Sequence, residues 1–320
     1  MSAAAARLAA SPAPHYPRAM ELLRLFADNL LPVFLTAGAG YALAATIKPD
    51  PRGIAQAGLY VLAPCLILDV ILKSQVPLGA VARFMGFAFA SLALPALLAL
   101  AVARWRRWPR TLASAVLLTV LLTNAGNYGL SVTLLAFGER GLAPASLFFL
   151  ATAVVSYTVG VFVASMGRTS ARASFAGLLR IPAVWAVAVA FAMSGAGLRL
   201  PGPLASAVHL LSQACIPVFL LVLGMQLRGA RFRGPAKPML FATAVRLLGG
   251  AAAGLLLAPV FGLEGIARQA GVLQSAMPSA VIATILATEY DVEPAFVTSV
   301  VLLSTLLSPF TLTPLLGWLR

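Results

Sequence analysis

Apolar blocks of about twenty residues recur along this chain with only short polar connections between them, and one helical pass through a bilayer takes about twenty residues. Ten such blocks can be read, at roughly 27–47, 54–73, 81–103, 112–137, 143–166, 180–198, 203–227, 239–261, 265–288 and 295–318. Hydrophobic residues make up 61% of the chain and charged residues 10%, where a soluble domain carries about 25% charged residues. The expected fold class is an all-α polytopic membrane protein with ten transmembrane helices. The connections leave no room for a separate soluble domain. Residues 1–19 read as a disordered Ala/Pro-rich tail without the continuous apolar core of a secretory signal, and Met20 is a plausible start of translation.

A net charge of +14 raises the question of nucleic acid, but the placement of the basic residues answers it. The loops after spans one, three, five and seven carry 13 Lys and Arg; the opposite side, with the N-terminal tail, carries 9. The positive-inside rule puts the richer side in the cytoplasm. Both termini then face away from it, no nucleic-acid partner is expected, and Arg168 and Arg172 in the loop after span five face anionic lipid. Cys65 and Cys215 lie inside apolar blocks, and the only histidines are His15 and His209. No metal site and no cofactor are expected.

The fourth block is interrupted at its centre by Thr123-Asn124-Ala125-Gly126-Asn127-Tyr128-Gly129-Leu130-Ser131. Backbone freed from helix in hydrocarbon must find new partners, so irregular backbone at that depth normally lines a protein-walled cavity. The second half echoes this. NAGNYGLSVTLLA at 124–136 aligns with SAMPSAVIATILA at 275–287, an offset of 151, and Pro64 aligns with Pro217, an offset of 153. Each interruption falls in the fourth span of a five-span half. Five is odd, so the halves, 20–166 and 180–320, enter the membrane in opposite directions, joined by a cytoplasmic linker at 167–179. Such inverted repeats characterise secondary transporters.

The stretches NAGNYGLSVTLLAFG and LQSAMPSAVIATILATEYDVEP, with Leu-Gly-Met-Gln-Leu at 223–227, resemble the auxin efflux carrier family, which holds bacterial carriers and the plant PIN-type carriers. The resemblance covers nearly the whole chain from Met20. It implies a ten-helix protein whose helices 4 and 9 break and cross at the membrane centre. Asn124 matches the family's Asn at the first break and Pro278 its Pro at the second. Ser131 departs from the family, which commonly has Pro after Gly-Leu. A homodimer is a family-level expectation, and the bile acid–sodium symporters are structural relatives.

The residues at the breaks suggest how such a protein would act. Pro278 lacks an N–H and clashes with the carbonyl four residues back, that of Gln274, whose freed oxygen needs a donor or points into a cavity. Gly126 and Gly129 open conformations closed to other residues and allow two backbones to approach closely. A helix N-terminus created inside the membrane is an anion site, and Asn124, Asn127, Ser275 and Ser279 add neutral donors and acceptors. No fixed charge sits within either stretch. Partial charges alone suit a small carboxylate that binds and then leaves. The substrate-binding set is therefore Asn124, Gly126, Asn127, Gly129, Gln274, Ser275, Pro278 and Ser279; the bland alternative is that they only pack helices.

Two charged residues could couple an ion. Asp69 could exchange a proton or pair with Lys73 four residues on. Arg246, about 13 Å into its span, could neutralise substrate, pair with Asp69, or snorkel to the cytoplasmic surface, the last being preferred. His209 reads as a packed or interface residue. The expected function is a secondary transporter, an efflux carrier for small organic anions in the inner membrane. The alternative is sodium- or proton-coupled uptake of organic acids. The sequence patterns of intramembrane proteases are absent, so an enzyme is not expected.

Overall fold

A computed structural model describes residues 18–74, 77–165, 182–228 and 232–320. The tail apart from Arg18 and Ala19, the linker at 167–179, and Arg168, Arg172, Arg180 and Arg231 lie outside the described residues. The described residues are helical with irregular connections, and their only strand-like feature is one isolated antiparallel bridge between Thr123 and Ser279.

In chain order the helices are α1 (Arg18–Asn29), α2 (Leu31–Thr46), α3 (Pro51–Lys73), α4 (Gly79–Trp105), α5 (Arg110–Leu121), α6 (Ser131–Phe137) and α7 (Glu139–Ala164). There follow α8 (Pro182–Gly195), α9 (Gly202–Arg228), α10 (Ala236–Val260), α11 (Gly265–Ser275), α12 (Val281–Glu289) and α13 (Pro294–Leu319). Local sequence sets several ends. Asp50 accepts from the N–H groups of Arg52 and Gly53 and caps α3, which has Pro51 in its first turn. Gly138, at φ +66°, turns the chain between α6 and α7.

Among the described residues, six helices are long and apolar enough to cross a membrane: α3, α4, α7, α9, α10 and α13. Counting α1 and α2, bent by 43° at their junction, as one span makes seven. The fourth and ninth apolar blocks do not form single long helices. The fourth becomes α5, a π-helical turn at Ala125–Leu130 and α6; the ninth becomes α11 and α12. The 12 residues of α5 reach only about 18 Å, short of a bilayer's roughly 30 Å core.

The distribution of side chains is inverted relative to a water-soluble protein. Leu35, Leu97, Leu256, Phe310 and Trp185 are exposed, while Ser91, Thr119, Ser279, Ser304, Thr305 and Ser308 are fully buried. An exposed apolar surface of this kind is satisfied by lipid and would be a liability in water. On α13 these buried hydroxyls bond back to the helix: Ser304 and Thr305 to Val301 O, Ser308 to Thr305 O. The protein is a multi-pass, membrane-embedded helical protein.

Helices α2, α3, α8 and α9 pack chiefly on one another, and α4, α5, α7, α10, α11, α12 and α13 form a second group. Each group draws on both halves of the chain. In the first, α2 and α9 meet through Gly40 and Gly224. A Cβ at Gly224 would overlap the Ala37 carbonyl, and one at Gly40 the Leu221 carbonyl. Small residues permit this backbone contact.

Candidate functional site

The two interruptions meet. Asn124 N–H donates to Pro278 O at 2.7 Å and Ala280 N–H to Leu122 O at 2.7 Å. Each segment thus supplies backbone partners that its own helix no longer provides, as irregular backbone in a membrane requires. Side chains extend the pairing. Thr123 Oγ1 donates to Met277 O (3.2 Å) and lies 3.4 Å from Gln274 O, while Ser279 Oγ donates to Thr119 O at 2.7 Å. Ser279 N–H reaches Ser304 Oγ on α13 at 3.1 Å. The Gln274 carbonyl freed by Pro278 does not face a cavity: it accepts from Met277 N–H and faces Thr123.

Gly126 and Gly129 act through space and not through unusual backbone, since neither has a positive φ. A Cβ on Gly126 would strike the Phe149 ring, and one on Gly129 the Gln274 amide. Gln274 is fully buried, and its Nε2 lies 3.4 Å from Thr133 Oγ1. Gly129→Ala is therefore expected to destabilise the protein by about 1–3 kcal/mol, read as a lower thermal midpoint in detergent.

A cavity of about 140 Å³ opens beside the crossing, walled by Thr123, Asn124, Gly126, Asn127, Ala280 and Val281 and by Thr152, Tyr157 and Gln226 from α7 and α9. Of the expected site residues, Asn124, Gly126 and Asn127 line it. Gln274, Ser275 and Ser279 are buried in the crossing itself, Pro278 contributes its carbonyl, and Gly129 packs on Gln274. Asn124 is 4% exposed, and its Nδ2 has no partner among the described residues. Ser131, at the position of the family's Pro, bonds back to Asn127 O through Oγ at 3.1 Å.

A second cavity, of about 950 Å³, is lined by the charged residues Asp69, Lys73, Arg83, Glu139 and Arg140 and by His209. Asp69 Oδ2 accepts from Lys73 Nζ (2.9 Å) and Ser212 Oγ (3.2 Å) and lies 3.0 Å from His209 Nδ1. Both cavities run along α3, α7 and α9, and a small apolar cluster containing Leu66, Leu130, Leu142, Cys215 and Phe219 borders both: Leu66 and Leu142 line the larger and Phe219 the smaller. Phe149 meets Phe219 edge-on there, with centroids 6.3 Å apart.

One expectation is corrected by this geometry. Arg246 neither snorkels nor pairs with Asp69. It is 0% exposed and donates through Nη1 to Val120 O at 2.6 Å and through Nη2 to Ser275 O. The crossing therefore does hold a fixed charge, supplied from α10. His209, on α9, meets Asp69 on α3, a contact between helices that fits its reading as an interface residue. Thr123, Gln226 and Tyr157 were not named as site residues in the sequence; Thr123 lies inside the interrupted stretch, Gln226 inside Leu-Gly-Met-Gln-Leu, and Tyr157 in neither.

Paired interrupted helices meeting inside a multi-pass helical membrane protein define its class. Residues 164–316 are similar to the membrane transport protein family, in agreement with the resemblance read from the two interrupted stretches. An uncharacterized transporter of Methanothermobacter thermautotrophicus is 26% identical over 205 residues, covering 63% of this chain and 65% of that protein. An uncharacterized transporter of Methanocaldococcus jannaschii is 23% identical over 208 residues, covering 64% of this chain and 67% of that protein. The match thus spans just under two thirds of the first relative's length. Both relatives bear the name of transporters, not enzymes.

Proposed function

We propose that the chain is a secondary transporter that moves a small organic anion across the inner membrane by alternating access, holding it at the crossing. The observation that carries this reading is Asn124, which lines a cavity between two interrupted helices and whose buried amide N–H₂ has no partner among the described residues. A carboxylate there would accept from Asn124 Nδ2 and sit near the N-terminal end of α12, where the macrodipole favours negative charge. Joining α1 to α2, α5 to α6 and α11 to α12 gives ten passes in two inverted halves, with Asn124 and Pro278 in the roles that the family resemblance implies. Under the positive-inside reading the larger cavity faces away from the cytoplasm. The apolar cluster around Phe219 then separates it from the crossing, as alternating access requires. A homodimer in the lipid bilayer belongs to the same proposal.

Efflux is energetically self-sufficient. An anion leaving an inside-negative cell gains about 2.3 kcal/mol per charge at 100 mV, and a decade of gradient costs about 1.4 kcal/mol. The potential alone supports roughly a 50-fold outward gradient of a monoanion. Coupled uptake of organic acids is the second reading, favoured by the Asp69–His209–Lys73 cluster in the larger cavity. Radiolabelled organic acids in proteoliposomes, with and without an imposed potential, test the function. Efflux of at least one acid that accelerates with an interior-negative potential is expected; no flux of any carboxylate would overturn the proposal.

A further inference from the structure

We propose that Arg246 occupies the place where an ion-coupled transporter of this design would bind its cation, so that the crossing carries its own positive charge and works without sodium. Arg246 is the largest fully buried side chain among the described residues. It projects from a π-helical turn, Val245–Gly249, within α10. Its two terminal nitrogens donate to the carbonyls of Val120 and Ser275. Val120 lies in the last turn of α5, and Ser275 is the last residue of α11.

Those carbonyls have a common character. The last carbonyls of a helix have no partner within it, and each C-terminus carries about half a negative charge. Two such ends meeting in a membrane amount to about one negative charge. In transporters with broken helices, unwound carbonyls and half-helix C-termini are where sodium or a proton is held. Here a single guanidinium serves both ends. No carboxylate offsets it among the described residues, since Asp69 is engaged by Lys73, His209 and Ser212. Gly250 provides a second observation: a Cβ there would fall on both Arg246 Nη2 and Ser275 O, so the glycine leaves room for this contact.

A buried cation without an acid partner is costly unless something else stabilises it. The paired carbonyl ends do so, and the arrangement has a consequence. With their negative charge offset, the N-terminal end of α12 remains uncompensated beside the cavity, and the crossing favours an anion. Arg246 does not line that cavity; it is a positioning residue that acts through the two backbones it joins. The inference rests on the crossing being the transport site, but its deciding measurement uses no substrate.

The test is thermal unfolding of the purified protein in sodium chloride against choline chloride at equal ionic strength, with no organic acid present. The wild type and Arg246→Lys are expected to give the same midpoint in both salts. Arg246→Gln is expected to unfold at a lower temperature in choline and to recover stability saturably with sodium. Gly250→Ala, which keeps the charge and displaces the guanidinium, should unfold earlier in both salts. A saturable sodium-dependent rise in the wild type overturns the inference, as does an Arg246→Gln protein indifferent to sodium. Should Arg246→Gln not fold, the wild type and Arg246→Lys decide: a sodium response in either overturns the inference, and none in both supports it. Absence of organic-acid flux alongside a sodium-indifferent wild type would refute the carboxylate reading alone.

Discussion

Asn124→Ala is expected to weaken organic-anion binding by roughly 10- to 150-fold, the worth of one hydrogen bond to a charged group, about 1.5–3 kcal/mol, while leaving folding and membrane insertion intact. The two effects separate because Asn124 uses different atoms for each. Its N–H donates to Pro278 O and its carbonyl accepts from Gly129 N–H, and alanine keeps both. Only the side-chain amide is lost, and its Nδ2 makes no bond among the described residues. The cavity would grow by a few atoms and remain walled by Gly126, Asn127 and Val281. Flux in proteoliposomes, compared at equal amounts of inserted protein, reads the result. Wild-type uptake and efflux by Asn124→Ala would remove the crossing as the substrate site.

Gly224→Leu is expected to have the opposite profile: failure of the fold before any question of transport arises. A Cβ at Gly224 has no space, because the nearest atoms are the Ala37 carbonyl and the Tyr41 backbone nitrogen of α2. A backbone cannot rotate away as a side chain can, so α2 and α9 must separate. Overpacking costs typically 1–3 kcal/mol and occasionally more, and a whole Leu side chain between two touching helices belongs at or beyond the top of that range. Loss of monodisperse protein in detergent, or a large fall in thermal midpoint, is the expected readout. Gly38, on the facing helix α2 with open space at its Cβ, is the control: Gly38→Ala should change the midpoint little.

The parts of this architecture that were readable in advance are those written locally. Asn124, Gly126, Asn127 and Gly129 stand out inside an apolar run, and Pro278 must break whatever helix contains it. Their meeting could be expected from the echo between the two stretches. The number of long helices could not be read as easily, because hydropathy sees one continuous apolar block where the backbone makes α5, a π-helical turn and α6. Arg246 was misplaced for a related reason. A long cationic stem near a membrane surface ordinarily snorkels, and the carbonyls that hold it belong to Val120 and Ser275, far away in the chain. No short-range pattern encodes a backbone acceptor. The same is true of His209, whose partner Asp69 lies on another helix.

The apolar cluster that borders both cavities has an electrical consequence. The larger cavity is lined by charged side chains and is suited to water and salt, in which a membrane voltage barely falls. Most of the drop is then concentrated on the layer around Phe149 and Phe219 and the crossing beneath it, instead of spreading over the roughly 30 Å of the hydrocarbon core. An anion passing that layer would do nearly all its electrical work in one short step. The voltage sensitivity of transport would then be set by the thickness of a few side chains.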